Sequence, residues 1–117
     1  MKFKIMEQNL SWTDFEKVRM CVGTILNAQQ FPEARKPAFK LEIDFGSEIG
    51  ILRSSAQITT HYSPEDLIGR QIAAVVNFPK KQIGNFMSEC LVLGVVGGEG
   101  VVLLSPDRDV QNGARIA

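Results

Sequence analysis

The 117-residue sequence predicts an all-β fold in which a few short strands close into a small barrel. Segments with strand-like alternation recur along the chain, and residues typical of turns separate them. The chain is too short for two stable cores, so a single domain is expected. A closed barrel would protect the edges of such short strands, and a β-sandwich is the alternative.

A flexible leader is expected over residues 1–10, followed by one domain over residues 11–117. The domain begins with a short helical turn, because Ser11 fits the N-cap position of a helix. Trp12 and Phe15 are three residues apart in this turn, so both can face the same side. That side would pack on the domain or on a partner chain.

The first half of the domain reads as a strand meander. A mostly alternating pattern runs from Val18 toward Leu26, and two prolines then bracket a loop. Residues 39–45 alternate strictly between apolar and charged side chains, which indicates a half-buried strand. A turn at Gly46 leads into residues 49–55, the expected antiparallel partner.

A short helix is predicted between the third and fourth strands. Ser63 is its N-cap, Pro64 occupies the first helical position, and Gly69 ends it. An OB-fold barrel carries its helix at this place, so the pattern favours a five-stranded OB-fold. The later strands are expected over residues 71–78, 89–96 and 101–104.

The sequence offers little for catalysis. His61 is the one histidine, and no nucleophile motif, phosphate loop or metal-ligand spacing is present. Cys21 and Cys90 lie in apolar, strand-like sequence, which predicts buried free thiols. We therefore expect a binding protein without enzymatic activity, cofactor or metal.

Charge and hydropathy restrict the class of partner. The 13 basic and 13 acidic residues balance, which excludes a strongly basic nucleic-acid-binding protein but allows a local basic face. The longest apolar runs, residues 91–96 and 101–104, are far below the roughly 20 residues that a membrane span needs, so no membrane insertion is expected.

Basic residues near exposable aromatic residues form one candidate binding surface. Such a combination suits a nucleic-acid strand, because cations hold phosphates while rings stack on bases. The alternative is that the charges are solvated and Phe86 belongs to the core, and spacing alone favours neither. The candidate cations are Arg35, Lys36, Lys40, Arg53, Lys80 and Lys81.

Surplus apolar residues form the second candidate. Such a surface usually becomes a subunit interface or a groove for extended chains. Methionine suits a groove that accepts varied sequences, because its side chain is flexible and polarizable. The surplus residues are Trp12, Phe15, Phe31, Met87 and the run 101–104, and both roles stay open for them.

Six segments carry motifs of a known family: Asp14–Ile25, Phe31–Ala38, Leu41–Gly46, Ser54–Thr59, Tyr62–Gln71 and Ala74–Pro79. They resemble the bacterial CsaA proteins, a family of tRNA-binding domains also appended to methionyl- and phenylalanyl-tRNA synthetases. The resemblance implies an OB-fold homodimer in the cytoplasm, with N- and C-terminal elements added for dimerisation. It further implies chaperone activity toward unfolded or export-bound polypeptides, a surface related to tRNA binding, and no catalysis. With this resemblance, the expected peptide-binding residues are Phe31, Phe78, Phe86 and Met87, and the expected dimer-interface residues are Trp12, Phe15, Val102 and Leu104.

The loop before the last barrel strand resembles a tRNA-contacting motif of these relatives. The resemblance implies contacts from Lys80, Lys81 and Ser88. The family glycine falls on Asn85, and asparagine tolerates the left-handed backbone better than other non-glycine residues. Glu89 adds a negative charge beside these contacts. A tRNA-binding accessory protein is thus the alternative to a chaperone.

Overall fold

The computed structural model describes residues 9–117, so residues 1–8 of the expected leader lie outside the described residues. The described chain is mostly strand, with three short helices. Its elements are α1 Trp12–Glu16, β1 Met20–Gln30, β2 Phe39–Asp44, α2 Gly46–Ile49, β3 Ile51–Ala56, α3 Pro64–Leu67, β4 Gln71–Val75, β5 Lys81–Ile83, β6 Phe86–Ser88, β7 Leu91–Val92, β8 Gly94–Gly97, β9 Gly100–Leu103 and β10 Arg115–Ile116.

Five strands form a curled antiparallel sheet in the order β3-β2-β1-β4-β7, and β10 pairs with β1. Strand β1 is shared, because its first half pairs with β4 and its second half pairs with β2. An irregularity between Ile25 and Asn27 shifts the register there, and such a bulge bends a strand. The bend lets β1 serve both sides of a nearly closed barrel, which confirms the predicted OB-fold class.

The barrel closes where β3 meets the segment between β6 and β7. The Glu89 backbone N–H donates to the carbonyl oxygen of Arg53 at 2.7 Å, and the Glu89 carboxylate accepts the Arg53 backbone N–H at 2.9 Å. The Ser54 hydroxyl donates to the carbonyl oxygen of Cys90 at 3.0 Å. At this closure, side-chain hydrogen bonds therefore take the place of some of the backbone hydrogen bonds that join a regular pair of strands.

The core fills the barrel with the inward residues of each strand. Phe45 is 1% exposed at the end of β2, and it leaves no room for a side chain at Gly23. A Cβ on Gly23 would lie 2.7 Å from both Ile43 and Phe45, so glycine permits the close crossing of β1 and β2. Other fully buried members of this core are Cys21, Ile25, Leu41, Leu67 and Ile72.

The C-terminal segment is tied to the barrel. Val22 donates its N–H to the carbonyl oxygen of Ala114 at 3.0 Å and accepts the Gly113 N–H at 2.7 Å. The Thr24 hydroxyl lies 2.8 Å from the side-chain oxygen of Asn112. Gly113 has a φ of +90°, and a Cβ there would lie 2.5 Å from the carbonyl oxygen of Phe45. The C-terminal segment therefore pairs with the first residues of β1, beyond the point where β2 stops pairing with that strand.

The helix caps are confirmed. The Asp14 N–H donates to the Ser11 hydroxyl at 3.0 Å, and the Ser63 N–H donates to the carboxylate of Asp66 at 3.2 Å. Gly69 follows α3 with a φ of +87°, as a helix-ending glycine does.

Other boundaries differ from the expectations. The turn after Phe45 is the helix α2, and the strand expected over 71–78 ends at Val75. The strand expected over 89–96 is divided at Leu93 into β7 and β8, because β7 pairs with β4 whereas β8 forms a hairpin with β9. The loop expected before the strand over 89–96 contains a second hairpin, β5–β6.

Both cysteines are buried free thiols, as predicted. Burial raises the pKa of the Cys90 thiol from 9.0 to about 12, and the nearby Glu89 carboxylate acts in the same direction, whereas a hydrogen bond with Ser54 lowers it. The Cys90 thiol is therefore protonated at neutral pH and is a poor nucleophile.

Candidate functional site

A polar face covers the outer side of β1, β2 and β3. Successive side chains of a strand point to opposite sides, so the residues between the core positions of β2 point outward. Cross-strand pairing aligns them with outward residues of the neighbouring strands. The pairing gives two rows, Asn27–Glu42–Arg53 and Gln29–Lys40–Ser55.

Two aromatic rings form a floor under the cations of this face. The rings of Phe31 and Phe86 meet edge to face with centroids 5.4 Å apart, and each residue is 3% exposed. The Lys40 Nζ lies 5.3 Å from the Phe31 centroid, and the Arg53 Cζ lies 4.3 Å from the Phe86 centroid. Such cation–π contacts orient the two cations and contribute about 0.5–2 kcal/mol each.

Two loops extend the face. The β1–β2 loop carries Arg35 and Lys36, both exposed, and the β5–β6 hairpin turn packs against it. A Cβ on Gly84 would lie 3.8 Å from the Cβ of Glu33 and 3.9 Å from the Phe31 ring. The hairpin and the loop therefore meet over the aromatic floor.

The two faces of the β5–β6 hairpin have different surroundings. Lys81 pairs with Ser88, and Ile83 pairs with Phe86, so these four side chains share the side that faces the floor. The Ser88 hydroxyl accepts the Ser55 N–H at 3.1 Å, which holds the hairpin to β3. Lys81 therefore joins the cations above the floor.

The backbone of the hairpin turn differs from the expectation. The left-handed residue is Gly84, with a φ of +58°. Asn85 has a negative φ, because positive φ among the described residues occurs only at glycines. Gly84 thus supplies the turn that the resemblance assigned to position 85, and Asn85 remains exposed at the tip.

Lys40 and Arg53 lie together over the floor, Lys80 and Lys81 lie at the start of the adjoining hairpin, and Arg35 and Lys36 lie on the loop that meets the hairpin turn. This region, here called the basic face, combines six cations with the carboxylates of Glu33, Glu42 and Glu89, in a chain whose 13 basic and 13 acidic residues balance. One cation is engaged, because the Lys80 Nζ lies 3.3 Å from a carboxylate oxygen of Glu89. The cations are Arg35, Lys36, Lys40, Arg53, Lys80 and Lys81.

Sequence reasoning missed the amides of the basic face. Asn27 and Gln29 line a cavity of about 80 Å³ together with Lys40, Glu42 and Arg53. Alternation along β1 alone does not predict that Asn27 and Gln29 point outward, because the bulge changes the side that the later residues face. The side-chain amides can donate to and accept from the edge of a base.

The expected peptide-binding residues divide into two pairs. Phe31 and Phe86 are buried and support Lys40 and Arg53. Phe31 also borders a cavity of about 380 Å³ together with Pro32 and Pro37. Phe78 is 54% exposed, and Met87 is half-buried. Met87 points to the opposite side of β6 from Phe86, away from the aromatic floor.

The expected dimer residues are accessible in the single chain. Trp12 is 83% exposed, Val102 is 50% exposed and Leu104 is 43% exposed. Trp12 and Phe15 border a cavity of about 330 Å³ with the C-terminal Ala117. The β8–β9 hairpin adds further exposed apolar side chains that the sequence did not single out, namely Val95 and Val96.

A model of the family described as "Putative tRNA binding domain" matches residues 20–115. The chain belongs to this tRNA-binding domain family. The match spans β1 through the start of β10, so it contains the whole basic face. The helix α1, which carries Trp12, lies before it.

Solved structures confirm the resemblance to CsaA. The crystal structure of the chaperone CsaA from Bacillus anthracis has a TM-score of 0.88 and 52% identity, covering 93% of this chain and 99% of that one. The CsaA chaperone protein from Picrophilus torridus also has a TM-score of 0.88, with 50% identity, covering 93% of this chain and 100% of that one.

A methionine–tRNA ligase from Pyrococcus furiosus is 33% identical over 109 residues, which is 93% of this chain. The chain spans 15% of the length of that ligase. The similarity therefore concerns one domain of a larger enzyme and not the ligase as a whole.

A cavity of about 530 Å³ lies away from the basic face, between α2 and the C-terminal segment. Its lining includes Asp44, Glu48 and Asn112. Two carboxylates disfavour a phosphate ligand there. Within residues 9–117, no group of three metal-ligating side chains comes together, and no helix is both long and apolar enough to cross a membrane.

Proposed function

We propose that this protein is a CsaA-type chaperone that binds unfolded or export-bound polypeptides as a cytoplasmic homodimer. The observation that carries the proposal is the similarity at 50% and 52% identity to two CsaA chaperones, each matched over nearly its whole length. Because these matches cover nearly the whole of each CsaA protein, they support a shared activity better than the match to one domain of a larger ligase does.

The mechanism is reversible burial of apolar client side chains. Met87 offers apolar surface on the side of β6 opposite Phe86, and Phe78, in the segment that follows β4, is 54% exposed. Burial of a client side chain against them contributes about 25 cal/mol per Å² of apolar surface removed from water. Such binding depends little on salt and needs no nucleotide.

A Met87→Ser variant is expected to bind an unfolded, presequence-bearing polypeptide on the order of tenfold more weakly, because it loses flexible apolar contact area. Fluorescence anisotropy of the labelled polypeptide measures this effect. The matched control is Ile68→Ser, which alters another exposed apolar residue, 54% exposed after α3. Equal affinities of Met87→Ser and Ile68→Ser would contradict the proposed surface.

The homodimer is proposed to bury the exposed apolar residues at the chain ends and on the β8–β9 hairpin. Trp12, Val102 and Leu104 expose large apolar side chains to solvent in the single chain. Exposed apolar surface of this kind commonly marks a protein–protein interface. Large aromatic residues commonly contribute most of the binding energy of an interface, so Trp12 is the expected anchor.

Sedimentation equilibrium tests the dimer. The wild-type protein is expected to have twice the mass of the chain, and Trp12→Ala is expected to raise the dimer dissociation constant at least about 30-fold, which is about 2 kcal/mol. Phe78→Ala removes an exposed aromatic residue outside the proposed interface and serves as the control. A monomeric wild-type protein would refute the interface.

The second proposed function is binding of tRNA by the basic face. A specific observation supports it: buried rings hold Lys40 and Arg53 in place beneath two loops that carry further cations. OB-folds bind oligonucleotides on this combination of sheet face and loops. About four to six phosphate contacts would make the logarithm of affinity fall by roughly 0.7–0.9 per contact per decade of salt.

A further inference from the structure

Glu89 occupies an unusual position at the closure of the barrel. One carboxylate oxygen accepts the Arg53 backbone N–H at 2.9 Å. The other lies 3.3 Å from the Lys80 Nζ. The side chain of Glu89 is 18% exposed, whereas that of Lys80 is 67% exposed.

The two carboxylate oxygens therefore have separable roles. The bond to Arg53 is part of the closure between β3 and the β6–β7 segment, together with the backbone bond from Glu89 to the Arg53 carbonyl. The ion pair with Lys80 is an electrostatic contact at the edge of the basic face. A glutamine at position 89 can keep the first role, because its amide oxygen still accepts a hydrogen bond, and it loses the second.

We propose that Glu89 is a specificity-determining residue of the basic face, which lowers its affinity for RNA by engaging Lys80. The inference rests on the proposed binding of tRNA by this face. A phosphate that contacts Lys80 competes with the partly buried Glu89 carboxylate for the ammonium group, and it also meets the negative charge of Glu89 at short range. Glu89 thus opposes the phosphate contact and keeps Lys80 in an intramolecular pair.

The neighbouring charges favour this assignment. The Arg53 guanidinium lies over the Phe86 ring and the Lys40 ammonium lies over both rings of the floor, whereas the ion pair with Glu89 is made by Lys80. Lys81 is exposed on the side of the hairpin that faces the floor. Neutralisation of Glu89 therefore frees one specific cation, Lys80, beside others that already face the ligand.

A double-mutant cycle tests the proposal. Binding of fluorescein-labelled unfractionated tRNA is measured for the wild type, Glu89→Gln, Lys80→Ala and the double variant at several salt concentrations. Glu89→Gln is expected to bind about three- to tenfold more tightly at about 0.15 M salt, with a salt slope steeper by roughly 0.7–0.9. Lys80→Ala is expected to lower affinity about three- to tenfold more in the Glu89→Gln background than in the wild-type background.

Thermal unfolding accompanies the cycle. Glu89→Gln is expected to keep the wild-type midpoint within about 2 °C, whereas Glu89→Ala, which leaves the Arg53 N–H without its acceptor, is expected to unfold at a lower temperature.

A folded Glu89→Gln variant with unchanged tRNA affinity would overturn the role of Glu89 while leaving tRNA binding intact. A gain that is equally large in the Lys80→Ala background would overturn it equally. Absence of tRNA binding in all four proteins would overturn the tRNA-binding function itself.

Discussion

A Lys40→Ala/Arg53→Ala double variant is expected to bind tRNA on the order of 10–100-fold more weakly than the wild type at about 0.15 M salt. The two cations lie above Phe31 and Phe86, which hold them in place at the centre of the basic face. Removal of two phosphate contacts should also make the salt slope shallower by roughly 1.4–1.8.

The control for this variant removes the same charge elsewhere. Lys17 and Arg108 are exposed cations whose partners are Asp14 and Asp107, outside the basic face. A Lys17→Ala/Arg108→Ala variant lowers the net charge by the same amount, and its tRNA affinity should change less than about threefold. Equal losses in the two double variants would show that overall charge, and not the basic face, governs binding.

A Phe45→Ala variant is expected to lose about 3–5 kcal/mol of unfolding free energy, a large part of the total for a domain of this size. Phe45 is 1% exposed and contacts the crossing of β1 and β2. The carbonyl oxygen of Phe45 also borders Gly113, so a cavity there reaches the attachment of the C-terminal segment.

Urea unfolding measures this loss, and Phe78→Ala is the matched control. The same chemical change at Phe78, which is 54% exposed, should cost less than about 1 kcal/mol. A loss at Phe45 as small as that at Phe78 would contradict the assignment of Phe45 to the core.

Much of the fold could be predicted because its signals are local. The strict alternation over β2 and the cap of α3 each depend on a few neighbouring residues, and both are confirmed. The end of β1 and the break at Leu93 depend on partners distant in sequence, so alternation alone could not place them. The β5–β6 hairpin was not predicted, because strands of only three residues are too short to show an alternating pattern.

The site was predictable in its charges and less so in its apolar residues. Basic residues on loops remain accessible in almost any packing, so Arg35 and Lys36 could be placed on the surface from the sequence. Whether Phe31 and Phe86 were exposed depended on how the hairpin packs against the β1–β2 loop. That contact joins residues about fifty positions apart, and no local pattern encodes it.

We propose that polypeptide and RNA bind different surfaces, the polypeptide at Met87 and Phe78 and the RNA at the basic face. A labelled unfolded polypeptide is titrated into the wild-type protein with and without saturating unlabelled tRNA. We expect polypeptide affinities that agree within about twofold in the two titrations. Competitive displacement of the polypeptide by tRNA would contradict it, because one shared surface would then bind both ligands.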